Sequence, residues 1–180
     1  MKKIFILFFF FLLSISGFSQ SYLGNITKQV NFRQGPGSDY GIIKSLKPGA
    51  QIFISSLDTD DDFYNIVDID SDLEGYVHKS YVKVGKIVSR SSGGMFNPEG
   101  DSEVYKPEIS VFNNTSKTLT LKLNSETYYF SPKETKKISL EPGECDFRAS
   151  APGVIPNIGT EYLDGNRRYS WQFYISTRRR

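Results

Sequence analysis

Apolar and polar positions alternate along most of this chain, and almost nowhere do apolar residues recur at helical spacing. In Gln29-Val30-Asn31-Phe32-Arg33 the period is two, as in a strand with one buried face. Ile52-Phe53-Ile54 and Phe63-Tyr64-Asn65-Ile66-Val67 are short β-branched and aromatic runs bounded by Gly, Pro or Asp. Further strands are expected over 42–46 and 74–78, and Lys79-Ser80-Tyr81 reads as one helical turn before a last strand. From Pro107 a second series of short strands is punctuated by Asn113-Asn114-Thr115-Ser116, Glu141-Pro142-Gly143 and Asp164-Gly165-Asn166. Such regular spacing predicts a small antiparallel β-sandwich over 107–180. The intervening 86–106 is rich in small polar residues and poor in periodicity, so a protease-sensitive linker is expected there.

The first residues differ from the rest. Met1-Lys2-Lys3 is followed by the apolar run Ile4 to Leu13, then by Gly17 and Ser19 as small residues before a cut. This layout predicts a signal peptide over 1–19 and an exported protein, periplasmic or secreted, that begins at Gln20. The apolar run is too short for a membrane span of about 20 residues. No Cys follows it to carry a lipid anchor. The domain organisation expected is therefore a leader (1–19), a first domain (20–85), a linker (86–106) and a second domain (107–180).

Composition narrows the chemistry. Tyr and Phe (11 and 14) far outnumber Trp (1), and with 15 Gly and 8 Pro they favour strands and turns. A single Cys and a single His exclude an internal disulfide and a zinc site built from several Cys and His ligands. The formal net charge of +2 equals Lys2 plus Lys3, and neither half is basic enough to suggest nucleic acid. Residues 20–85 carry six basic against nine acidic side chains, and 107–180 carry eleven against eight. The Arg178-Arg179-Arg180 tail reads as a solvated end.

The most specific pattern lies in the first half. The run Asn31-Phe32-Arg33-Gln34-Gly35-Pro36-Gly37-Ser38-Asp39-Tyr40 is followed by the turn Lys47-Pro48-Gly49 and closed by Gly75-Tyr76-Val77-His78-Lys79-Ser80-Tyr81. In content and order these blocks resemble the bacterial SH3 domain (SH3b) over about residues 22–84. Phe63 and Tyr76 stand where the family often has Trp. The resemblance implies an SH3-like small barrel, so the chain is expected to be all-β: that barrel followed by the β-sandwich. It also implies a non-enzymatic envelope protein whose ligand is cell-wall peptide or peptidoglycan. The ligand surface is expected where the Tyr40 loop, the acidic loop and the closing segment converge, at Tyr40, Asp61, Asp62, Phe63, Tyr76 and Tyr81. Tyr64 is a further member of a possible aromatic shelf. The competing reading is an adaptor that holds an envelope protein through its C-terminal sandwich.

Other chemistries find little support in the residues. Arg33 is read as satisfying carbonyls of the Gly35-Pro36-Gly37 loop, where Gly35 and Gly37 are expected to supply positive φ. Asp68-Ile69-Asp70-Ser71-Asp72 has the spacing that opens a calcium loop, but Leu73 and Lys79 stand where Gly and Glu are needed. A solvated hairpin turn is expected instead. Cys145 lies in a strand pattern and His78 inside the SH3b close, so no thiol–imidazole pair is expected, nor any catalytic residue, metal or cofactor. Asn25-Ile26-Thr27 and Asn113-Asn114-Thr115 match the glycosylation acceptor pattern by coincidence.

Overall fold

The structure, a computed structural model, describes residues 20–92 and 94–175. The expected signal peptide and the arginine tail lie outside the described residues. In the first half, seven strands form one sheet: β1 (Tyr22–Ile26), β2 (Val30–Arg33), β3 (Ile42–Leu46), β4 (Gln51–Ile54), β5 (Phe63–Asp68), β6 (Leu73–His78) and β7 (Val82–Ile87). Their order is β3-β2-β6-β5-β4-β1-β7. The sheet wraps a core of Ile26, Phe32, Leu46, Ile52, Ile54, Ile66 and Val77, all essentially inaccessible to water. This is the SH3-like fold. The expected helical turn is a single 3-10 turn, Lys79–Tyr81.

The motif glycines serve close approach. A Cβ on Gly75 would lie 2.4 Å from the Arg33 carbonyl oxygen and 2.7 Å from the Phe32 ring, so only glycine lets β6 cross β2 at the Arg33↔Tyr76 pairing. At Gly35 a Cβ would lie 2.2 Å from the Tyr40 ring. Neither Gly35 nor Gly37 takes positive φ, contrary to expectation; the Tyr40 ring, lying against the loop, is what excludes a side chain there.

In the second half, two sheets pack face to face. One has the order β13-β10-β16-β9, from β9 (Asn97–Asp101), β10 (Glu108–Asn113), β13 (Thr135–Ser139) and β16 (Arg167–Phe173). The other has the order β12-β11-β14-β15-β8, from β8 (Ser91–Ser92), β11 (Leu119–Leu123), β12 (Glu126–Phe130), β14 (Gly143–Ala151) and β15 (Val154–Leu163). Ile109, Val111, Leu119, Leu121, Leu123, Phe130 and Phe147 fill the space between them. The result is a β-sandwich, with two pairings, β10–β16 and β8–β15, running parallel.

Asn113 locks one end of the sandwich. Its side chain is fully buried; the amide donates to the carbonyls of Lys117 (2.8 Å), Ser131 (3.0 Å) and Phe130 (3.1 Å), and its oxygen accepts from Thr115. The residue that heads an acceptor-like triplet is thus an internal brace.

Two segments differ from the sequence expectation. The stretch expected as a linker holds β8 and β9 and buries Met95 and Phe96 in the sandwich core. Two apolar residues amid small polar ones suffice, because their neighbours hydrogen-bond as edge strands. The other segment is β15, which runs continuously over Val154–Leu163 although it contains Pro156 and Gly159. Pro156 is tolerated because this part of β15 has β14 on one side and is not paired with β8, which reaches only Gly159 and Thr160.

The two halves meet over a built interface. Phe53, Val67 and Ile69 of the first half form a buried cluster with Ile158 of β15. The Gly153 N–H donates to the Ile69 carbonyl at 2.7 Å. Beside this cluster, Glu74 accepts from Arg148 at 2.6 Å and from Lys122 at 3.2 Å. Register explains the grouping: Lys122 pairs with Arg148 and Arg148 with Ile158, so all three share the outer face of one sheet.

Candidate ligand groove

The β5–β6 hairpin builds the candidate site through its register. Phe63 pairs with His78, Asn65 with Tyr76 and Val67 with Glu74, so these six side chains share the outer face of the barrel. The Val67–Glu74 end is covered by the sandwich. The Phe63–His78 end stays open and forms one wall of a groove of about 560 Å³. Arg33 and Asn31 of β2 line it from the neighbouring strand, and Ser80 and Tyr81 of the 3-10 turn from the end. Gln29, Ser38 and Ser45 complete the polar rim.

Three rings are fixed edge to face at its centre. The Phe63 and His78 centroids lie 5.2 Å apart at 85°, and those of His78 and Tyr81 lie 6.1 Å apart at 75°. His78 Nδ1 accepts from the Ser80 N–H at 3.3 Å and sits 2.8 Å from Ser80 Oγ, capping the turn that carries Tyr81. With Nδ1 engaged as acceptor, the neutral ring carries its proton on Nε2, a donor for a ligand carbonyl. Thr27 ties Tyr81 down through its N–H (2.9 Å) and its hydroxyl (3.1 Å), both donated to the Tyr81 carbonyl. Arg33 spends one guanidinium donor on the carbonyl of Tyr40 at 2.7 Å, at the far end of the glycine loop from the carbonyls expected. Its fork has five donors, which leaves capacity on the groove side.

Of the six residues expected at the ligand surface, Phe63 and Tyr81 line the groove. Tyr76 sits on the same face midway to the interface, beside Arg33 and Asn65. Tyr40 lies on the Gly35–Gly37 loop, half-exposed and outside the groove lining. Asp61 and Asp62 form a tight turn at positive φ, closed by reciprocal Asp60–Phe63 backbone bonds, and also lie outside the lining. Asp62 is paired with Lys79 at 2.6 Å, and the hydrogen bond from Lys79, with its charge, holds the carboxyl below its ordinary value. Tyr64 pairs with Val77 and packs toward the barrel core on the opposite face. Sequence reasoning missed His78, Asn31 and the groove side of Arg33. Strand alternation carried that signal, because His78 is two residues from Tyr76 and Arg33 two from Asn31.

The remaining candidate chemistry resolves structurally. Asp68 is buried and takes Lys44 at 2.5 Å and the Ser71 hydroxyl at 2.5 Å, while Asp72 adopts φ 57° to close the β5–β6 turn. Cys145 is buried in β14, in the other half from His78, and burial with nearby Asp146 and Glu161 pushes its thiol up to about 11.

Residues 28–83 match the family model of the bacterial SH3 domain. The chain therefore carries a bacterial SH3 domain, and the rest of it has no family assignment. Comparison with curated proteins and with solved structures gave no match. Among the described residues, no helix is long and apolar enough to cross a membrane.

Proposed function

We propose that this is an exported envelope protein that binds cell-wall peptide, free or within peptidoglycan, through the Phe63–His78–Tyr81 groove, and that it catalyses no reaction. Bacterial SH3 domains generally bind peptidoglycan or proteins, which supports the class of ligand. The observation that carries the reading is the groove itself. Three prearranged rings supply apolar area at low entropy cost, and Arg33, Asn31 and the His78 ring supply donors for peptide carbonyls and a carboxylate. The buried, poorly ionised Cys145 thiol is no nucleophile, and the sole His caps a turn.

The test is sedimentation of the chain from Gln20 onward with purified peptidoglycan. Wild-type protein is expected in the pellet. Tyr81→Ala and His78→Ala should each bind about tenfold more weakly, the cost of losing one ring of a small interface. Thermal melts separate this from unfolding, because Tyr81 also packs on the barrel core. A folded variant of either kind that pellets like wild type overturns the assignment.

A further inference from the structure

A second cleft, of about 710 Å³, opens in the sandwich where both sheets run out of edge strand. β9 stops pairing with β16 at Asn97↔Ser170, and β8 pairs with β15 only from Gly159. The gap between them exposes the inner side of β16 and the start of β15. Its volume falls in the usual range of small-ligand sites.

The lining has a distinctive chemistry. Among the described residues that line it none carries a charge, although 23% of the chain is charged. It combines the rings of Trp171 and Tyr174 with the amides of Asn97, Asn157 and Gln172 and the hydroxyl of Ser91. Trp171, the only Trp of the chain, is braced by Phe96 (6.2 Å, 82°) and Phe173 (5.7 Å, 56°). Ser91 Oγ donates to Asn157 Oδ1 at 2.8 Å, which fixes the amide and leaves its NH₂ to donate elsewhere. Tyr174 is 67% exposed and Ile155 50%, a large apolar display for a site otherwise rimmed by amides.

Each alternative occupant conflicts with an observation. A charged ligand would lose hydration with no counter-charge among the described lining residues to replace it. An extended peptide pairing with the open edge of β15 ahead of Gly159 meets Pro156, which has no N–H to donate. A purely apolar ligand would bury the amides unpaired. A ring with an apolar face and a hydroxyl rim satisfies both parts of the lining.

The geometry points to this cleft as a binding site for a short neutral oligosaccharide, with a sugar face on Trp171 and hydroxyls on Asn157, Asn97 and Ser91. The site is separate from the SH3 groove and does not rest on that groove's assignment.

Trp171 makes the test direct, since its emission reports on the cleft alone. The chain from Gln20 onward is titrated with chitotetraose, cellotetraose and maltotetraose, and with a heparin tetrasaccharide as charged control. At least one neutral tetrasaccharide is expected to change the emission saturably, with a Kd on the order of 1 mM or tighter. Added salt should leave it unchanged. Asn157→Ala should weaken binding about fivefold or more at an unaltered melting temperature. Ile155→Asp, on an exposed position, should weaken it as well. No saturable change with any neutral probe up to roughly 10 mM, equal binding of the charged control, or wild-type affinity in both variants overturns the site.

Discussion

Replacing Glu74 by Gln tests the interface between the two halves at its most polar point. Arg148 has a side chain only 10% exposed, and Glu74, 31% exposed, is its counter-ion. Burial pushes the Glu74 carboxyl up, but Arg148 and then Lys122 outweigh it and hold it below the usual carboxylate range. The neighbouring Asp72 is affected in the opposite sense: burial raises it, the Ser150 and Thr120 hydroxyls and Arg148 offset part of this, and Glu74 adds to it. Asp72 Oδ2, Ser150 Oγ and Arg148 Nε make no hydrogen bond of ordinary geometry, so the cluster has little reserve if Glu74 is lost. Breaking a fully buried pair costs about 3–5 kcal/mol. Lys122 and Glu74 are each about a third exposed and partly rehydrate, so about 2 kcal/mol is expected for Glu74→Gln.

Urea unfolding at neutral pH measures that loss, and a double-mutant cycle with Arg148→Met isolates the coupling. The pH dependence adds a sign. Glu74 contributes stability above its unfolded-state pKa that is lost as pH falls through its lowered folded value. Asp72 behaves in reverse: its contribution is full below its unfolded-state pKa and is lost as pH rises through its raised folded value. The interface should thus be firmest at mildly acidic pH, and Glu74→Gln should remove the acid-side loss. A Glu74→Gln protein within about 0.5 kcal/mol of wild type, or a coupling to Arg148 near zero, would refute the reasoning.

Asn113→Ala should cost about 3 kcal/mol in denaturant unfolding, because three carbonyls and the Thr115 N–H lose their partner in a site closed to water. Gly75→Ala should destabilise the SH3 domain by about 3 kcal/mol, since the new Cβ meets the Arg33 backbone first, with the Phe32 ring and Ile43 Cδ1 close behind. Cys145 should resist a thiol reagent at neutral pH while the protein is folded and react at the rate of a free thiol in denaturant, as its burial and raised pKa require.

The strand pattern exposed the fold wherever an element has a local cause. β2 alternates, and β4 and β5 are short β-branched and aromatic runs bounded by Gly, Pro or Asp. β1, Tyr-Leu-Gly-Asn-Ile, shows neither pattern, since Gly24 and Asn25 interrupt it; Gly24 is there because Ile54 and the Lys83 carbonyl approach within 2.9 and 3.0 Å of where a Cβ would sit. β9 contains Pro98 and Gly100, which local rules assign to a loop, and it becomes a strand only because β16 lies beside it. The groove was half legible. Phe63, Tyr81 and Tyr40 were all placed there by the resemblance, but the Tyr40 ring lies against a glycine loop, while His78, which strand phase places opposite Phe63, was not expected there. The residues that join the halves were not legible beyond the opposite charge balance of the two, since Glu74 and Arg148 are 74 residues apart and nothing local marks either as a partner.

The central claim is that the outer face of the β5–β6 hairpin, at its Phe63–His78 end, receives cell-wall peptide. Backbone amide chemical-shift mapping of the chain from Gln20 onward against a synthetic wall stem peptide tests it most directly. The account predicts dose-dependent shifts concentrated at Asn31, Arg33, His78, Ser80 and Tyr81, with the Asp61–Asp62 turn and the sandwich unmoved. Shifts gathered at the acidic turn or the sandwich, or none at peptide concentrations that saturate sedimentation with peptidoglycan, would contradict it.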